Sequence, residues 1–194
     1  MNFEFPEISK RLLAVSGAAF IGLAALSACG TEDAGDTGTT ETGADAAAEE
    51  AGGDGTSPEA PLPAGSSVEI TDWTVSATGV LDATEEVKAA NEFNEPPAEG
   101  FQHSLVTITG TYAGDASGSL YMDATFGIWA DGTFYAATDC LNTVENDLME
   151  VAEVSAGSEA TGSSCVEVPT GAESYLIYIE DIWALDGTQY FIEI

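Results

Sequence analysis

Positive charge is what this chain lacks. Its 194 residues hold three Lys or Arg against 34 Asp or Glu, for a formal net charge of −31. Lys10 and Arg11 account for two of the three basic residues, so beyond residue 28 only Lys88 remains. Nucleic-acid binding, which is built on Lys and Arg contacts to phosphate, is excluded on that ground. An anionic lipid surface repels such a chain instead of recruiting it. No arginine clamp on a phosphate or carboxylate can be assembled beyond residue 28.

Catalytic residue types are almost as scarce. His103 is the single histidine, within Phe101-Gln102-His103-Ser104. Any Ser-His-Asp triad would have to use it, yet no G-x-S-x-G elbow occurs. Gly114-Asp115-Ala116-Ser117-Gly118 comes nearest, with the wrong spacing. Zinc sites draw on several His and Cys ligands, and one His with two distant Cys supplies little. Carboxylate pairs of the glycosidase kind are available among so many acids, but no feature selects a pair. No motif calls for an organic cofactor.

What is present begins with an address. Leu12 to Leu26 is an uncharged apolar run of fifteen residues after Lys10-Arg11. It suits a signal-peptide core and falls short of the roughly 20 residues that span a bilayer. Leu26-Ser27-Ala28-Cys29 resembles the bacterial lipobox, which makes Cys29 the expected lipid attachment point and 1–28 a lipoprotein signal peptide. Stable anchoring through acyl chains follows the general arithmetic of lipidation. Residues 29–63 are the expected tether: after Cys29 they are Gly, Ala, Thr, Asp, Glu and Pro with one Ser, and Leu62 is the only large apolar residue. Such a segment buries too little to offset its ordering entropy, and as a coil it spans roughly 30–35 Å.

Residues 64–194 form the expected domain, and its pattern is β throughout. Val68, Ile70, Trp73 and Val75 alternate with one phase slip, which predicts a bulge or bend in a single strand. Ser104–Tyr112 is a second strand. Thr125–Ala130 and Thr133–Ala137 flank Asp131-Gly132, a tight hairpin signal. Gly162–Val168, Tyr175–Ile179 and Gln189–Ile194 follow. Seven or eight short strands predict a two-sheet sandwich of immunoglobulin type. Thr84–Gly100, acidic and carrying Pro96-Pro97, is expected to be a long exposed loop, and Leu141–Val154 holds at most a helical turn. Cys140 and Cys165, an even pair in an exported chain, are expected to form a structural disulfide.

The lipobox, the acidic linker and the β-domain with Trp73 in its first strand resemble Gram-positive lipoproteins with an immunoglobulin-like domain. That group is similar in fold to secreted mycobacterial immunoprotective antigens. Asp131-Gly132-Thr133-Phe134-Tyr135 before Cys140, and Gly157 through Pro169 around Cys165, carry the likeness over residues 65–194. The resemblance implies a fold and carries no activity or catalytic residues.

Three weaker features complete the expectations. Trp73, Trp129 and Trp183 together would make a sugar-stacking platform, although tryptophans in a sandwich are more often core. Asp115, in the Asp115–Ser119 loop, and the Glu180-Asp181 pair are calcium candidates without the EF-hand pattern. The acidity itself acts on solubility and association and does not select a fold. The expected function is therefore a non-enzymatic binding domain on the extracytoplasmic face of the cytoplasmic membrane. It is held there by its N-terminal lipid and engages an envelope protein or a wall polymer. A wall-carbohydrate binder is the alternative, and a carboxylate-based hydrolase a more distant one.

Overall fold

The phase slip between Ile70 and Trp73 proves to be a reversal of the chain. In the computed structural model, which describes residues 53–194, β1 (Ser67–Ile70) and β2 (Trp73–Val80) pair antiparallel with Ile70 opposite Trp73. One strand with a bulge or bend was expected; two strands joined by Thr71-Asp72 are found. Asp72 takes φ 61°, a left-handed value that aspartate tolerates better than most residues. The alternation on either side then points Val68, Ile70, Trp73, Val75 and Ala77 inward together.

The next segment departs further from expectation. Thr84–Ala90 forms a seven-residue helix, α1, where a loop was predicted. Only Val87 among its residues is buried, and it packs with Ala83, Leu105, Val144 and Cys165. A single buried side chain leaves almost no periodic signal in sequence. Glu85 and Glu86 in the first turn and Lys88 in the last suit the helix dipole. The chain continues through β3 (Phe101–Tyr112), β4 (Ser117–Gly118), α2 (Leu120–Asp123), β5 (Ala124–Ala130) and β6 (Thr133–Ala136). It ends with β7 (Val154–Ser155), β8 (Glu159–Pro169), β9 (Tyr175–Asp181) and β10 (Gln189–Glu193). Short 3-10 turns occupy Ala137–Asp139 and Leu148–Glu150, the second inside the stretch expected to hold a helical turn.

Two four-stranded antiparallel sheets result, ordered β1-β2-β3-β8 and β10-β9-β5-β6, with β4-β7 as a small separate ribbon. The second order is the G-F-C-C′ arrangement of an immunoglobulin fold, and β2-β3-β8 occupies the places of A, B and E. The two-sheet all-β sandwich is thus the fold. The β5–β6 hairpin turns at Asp131-Gly132 as expected, with φ 47° and 83°, the left-handed pair that a two-residue primed turn requires. Tyr175, at the start of β9, donates its hydroxyl to Pro169 O at 2.6 Å and accepts from Ala172 N at 3.0 Å. This is the tyrosine corner of the fold, fixing the β8–β9 connection.

Inner faces of both sheets meet in one core that includes Trp73, Ile108, Phe126, Val166, Ile177 and Ile192. A second cluster, Leu176, Tyr178 and Phe191 with Trp129 and Phe134 against it, lies apart from that core. Cys140 and Cys165 are bonded, with Cα atoms 5.6 Å apart, tying the segment after β6 to β8.

The sheet also takes in part of the expected tether. Leu62 bridges Ile192 in parallel, its N–H donating to Phe191 O and its carbonyl accepting from Glu193 N, both at 2.9 Å. Phe191 N donates to Gly55 O at 2.7 Å. Residues 53–63, expected as the end of the tether, are thus hydrogen-bonded to β10. Leu62 is the reason: the tract's one large apolar side chain packs against the main core. The expected signal peptide, Cys29 and residues 29–52 of the tether lie outside the described residues.

Candidate functional site

Antiparallel pairing brings three connections to one end of the sandwich: the β1–β2 turn, the β3–β5 connection and the β9–β10 loop. Tyr112 at the end of β3 faces Trp73, and Asp181 at the end of β9 faces Ala124. This end carries a concentration of exposed apolar side chains. Trp183 is 61% exposed, Met122 64%, Ile182 44%, and Leu185 projects fully into solvent. Scattered exposed apolar residues are ordinary on a soluble surface, but several on adjoining loops invite a partner.

Beneath these side chains the acids are organised by donors. Asp181, buried at the end of β9, accepts from Thr71 N at 2.7 Å and Thr71 Oγ1 at 2.8 Å through one oxygen. Its other oxygen accepts from Trp183 N at 2.9 Å. Burial alone would raise its pKa, but the donors from Thr71, Trp183 and Ala184 outweigh it and hold the carboxyl below the usual range. Asp123 accepts from Trp73 Nε1 at 3.0 Å and Ser119 N at 3.1 Å, and Trp183 Nε1 lies 3.4 Å from its second oxygen. One carboxylate thus gathers an indole from the core and an indole from the loop.

A cavity of about 350 Å³ opens between these elements, lined by Thr71, Asp72, Tyr112, Ser117, Asp123 and Trp183. Its walls combine a phenol, an indole and two carboxylates. Tyr112 is held above the ordinary phenol range by burial first, and then by the charges of Asp72, Asp123 and Asp115. A Cβ on Gly118 would come within 2.4 Å of the Tyr112 ring, so glycine is what lets the ring lie there. Electrostatically the cavity favours a cation with an apolar stem. Of its residues the sequence singled out Trp183 and, within the Asp115–Ser119 loop, Ser117. Asp72, Tyr112 and Asp123 gave no signal, because their convergence depends on contacts about 40 to 110 positions apart.

The other expected site residues do not assemble. Glu180 accepts from the Tyr178 hydroxyl at 3.0 Å, whereas its neighbour Asp181 on the strand accepts from Thr71 on the opposite face. Asp115 stands exposed in the β3–β5 connection. The calcium candidates therefore do not converge on one point. The three tryptophans are likewise dispersed. Trp73 is 1% exposed and sits in the core beside Tyr112, ring centroids 4.9 Å apart. Trp129 lies against Phe191 and Tyr178 in the separate aromatic cluster. Only Trp183 is well exposed, so no three-tryptophan platform forms.

His103 occupies a different region. It is directly opposite Glu167 in the β3–β8 ladder, and the next pair on the same face is Leu105 and Cys165. The ring is 2% exposed, and its Nε2 lies 3.2 Å from Asn142 Nδ2 and 3.6 Å from Glu167 Oε2. Asn142 is oriented by Glu95, whose N–H donates to its oxygen at 3.0 Å and whose carbonyl accepts from its Nδ2 at 2.9 Å. Nε2 is therefore the acceptor from Asn142, and the proton sits on Nδ1, which has no hydrogen-bond partner. Burial pushes the imidazole pKa down, and Glu167 only partly offsets it. An unserved buried polar atom costs about 1–3 kcal/mol. Among the described residues, the one group of metal-ligating types brought together is His103, Cys140 and Cys165, with ligand atoms within 4.8 Å of one another.

No family model matches this chain, and no curated protein matches it. Among solved structures the chain is similar to a β-sandwich protein, described as uncharacterized, from Clostridium difficile 630. The two are 10% identical with a TM-score of 0.39, over 69% of this chain and 94% of that one.

Proposed function

We propose that this chain is a lipid-anchored, non-enzymatic binding module of the bacterial envelope. Its loop end engages a basic, amphipathic segment of a partner protein. The observation that carries the proposal is the conjunction at one end of exposed Trp183, Leu185, Ile182 and Met122 with a carboxylate- and aromatic-lined cavity. Apolar side chains supply contact area, and the acids choose the sign of the partner. Leu26-Ser27-Ala28-Cys29 supports extracytoplasmic anchoring through Cys29, and the acidic tract after it supports a tether between lipid and domain. The lipoprotein resemblance is of a piece with that architecture.

The test is a titration of the full chain, lipidated or carrying Cys29→Ala, with a lysine-rich amphipathic peptide, followed by tryptophan fluorescence. A charge-reversed peptide and wall-glycan fragments serve as the other arms. The proposal expects a response to the lysine-rich peptide alone, weakened by salt and lost in Trp183→Phe. A response to glycan alone would transfer the site to the carbohydrate alternative, for which the exposed Trp183 indole is the single favouring feature. Anchoring is tested separately: Cys29→Ala should leave the membrane fraction or persist as an uncleaved precursor.

A further inference from the structure

The disulfide and His103 make an unusual neighbourhood for a purely structural crosslink. Cys140 and Cys165 need an apolar wall, and Leu105, Val87 and Val144 supply one. His103 adds a buried imidazole with one ring nitrogen within 4.8 Å of the sulfurs, and its Nδ1 has no hydrogen-bond partner. A buried polar atom without a partner is rare in folded proteins and asks for an explanation. The second feature is access. Cys165 is buried, but Cys140 is half-buried, and both line a cavity of about 110 Å³ shared with Leu141, Asn142 and Met149. A reagent can reach the bond from that side.

We propose that reduction of the Cys140–Cys165 bond uncovers a binding site for a thiophilic divalent metal ion, held by the two thiolates and the His103 imidazole. The reductant is an external dithiol. Its thiolate attacks the Cys140 sulfur and the second thiol resolves the mixed disulfide, so two electrons and two protons pass to the protein and the dithiol leaves oxidised. Metal binding then displaces two protons from the cysteine thiols. The sulfurs must open to about 3.8 Å, the edge of a tetrahedron with metal–sulfur bonds of about 2.3 Å. Cα atoms 5.6 Å apart on one local surface allow that by side-chain rotation. When Nδ1 binds the ion, its proton moves to Nε2, which exchanges its hydrogen bond from Asn142 Nδ2 for one to Glu167. Glu167 Oε2, 3.6 Å from Nε2, is there to accept it. A carboxylate behind the second nitrogen is the usual support of a ligating histidine, which makes Glu167 a positioning residue. Three protein ligands leave the fourth position to water in the cavity. The site is independent of the loop end and of the binding reading above.

The test uses the full chain with Cys29→Ala, so that no third thiol competes. It is reduced with a phosphine, freed of reductant and titrated anaerobically with Zn²⁺. A parallel titration with Co²⁺ reports sulfur ligation through thiolate charge-transfer absorption. The reduced chain should bind one ion per chain while keeping its β circular-dichroism spectrum, and the oxidised chain should bind none at this site. His103→Leu, or His103→Gln if the leucine form does not fold, should weaken binding at least about tenfold, as should Glu167→Gln; Cys140→Ser with Cys165→Ser should abolish it. Equal affinity in a folded His103 variant would overturn the proposal, leaving an adventitious dithiolate. Failure of the reduced, folded chain to take up an ion, or loss of the fold on reduction, would overturn it too.

Discussion

The two ends of the chemistry in this molecule are built on opposite rules. At the loop end the charged groups are satisfied and the apolar ones are not. Asp181 takes three donors and Asp123 takes three, while Trp183 and Leu185 stand in water. Behind the disulfide the arrangement is reversed: Leu105, Val144 and Cys165 are buried with a histidine nitrogen that no group serves, while Leu141 and Met149 on its outer side stay exposed. Local stability demands neither the bare indole nor the unserved nitrogen. The comparison teaches where each region's surplus lies. On the two proposals above, the first is contact area for a macromolecule and the second a histidine nitrogen that gives up its proton to take an ion.

Predictions from this contrast run from large to small. Replacing Cys140 and Cys165 with Ala removes a crosslink closing 26 residues, worth about 3 kcal/mol on the chain-entropy model. The melting temperature should fall by roughly 10 °C, measured by calorimetry on the full chain. A fall of only a degree or two would show that the region is held by packing alone. Asp181→Ala comes next, at about 2 kcal/mol in urea unfolding, since Thr71 and Trp183 lose a charged acceptor. The sign of its pH dependence follows from the lowered folded pKa. The contribution is complete above the unfolded aspartate value of about 3.9 and is lost as pH falls through the lower folded value. Wild type should therefore lose stability more steeply below about pH 4 than the variant; parallel acid limbs would remove Asp181 as an organiser of the loop end.

Much of this fold was legible, and the gaps have physical causes. Asp131-Gly132 announced its hairpin because both positions require left-handed backbone, which few residue pairs accept. Cys140 and Cys165 announced their bond by count. The Thr71-Asp72 turn was mistaken for a bulge, since both devices interrupt alternation and leave the same slip in the pattern. Thr84–Ala90 hid its helix because one valine carries all of its burial. Leu62 reads as tether because its neighbours are tether-like; its bridge to Ile192 and its packing against the core depend on long-range contacts that the local sequence does not mark. The site was the least legible part. Thr71 and Asp181 meet across 110 positions, and nothing local marks either as the other's partner. Trp73, Trp129 and Trp183 are the same residue type in core, separate aromatic cluster and solvent, a difference only the fold assigns.

A smaller effect belongs to the tyrosine corner. Tyr175→Phe removes two hydrogen bonds at the β8–β9 connection and should cost about 1 kcal/mol, without changing either region compared above. Salt sharpens the contrast in another way. Residues 64–194 carry 23 acids against Lys88, and self-repulsion at that density is screened over about 10 Å at 0.1 M salt. The melting temperature should rise modestly between low salt and a few tenths molar sodium chloride, with magnesium and calcium equally effective at equal concentration. A calcium-selective rise at micromolar levels would point to a specific site at the Asp115–Ser119 loop or the Glu180–Asp181 pair.

The most direct measurement compares two leucines that are the most exposed among the described residues, Leu185 on the loop end and Leu141 beside Cys140, at 106% and 92%. A photocrosslinking amino acid is placed at each position of the full chain in intact cells, and adducts are identified by mass spectrometry across a salt series. The account predicts protein adducts from position 185, mapping to lysine-rich segments and fading with salt, and none of that kind from position 141. Equal adducts from both positions, or adducts from 185 that are glycan or indifferent to salt, would contradict it.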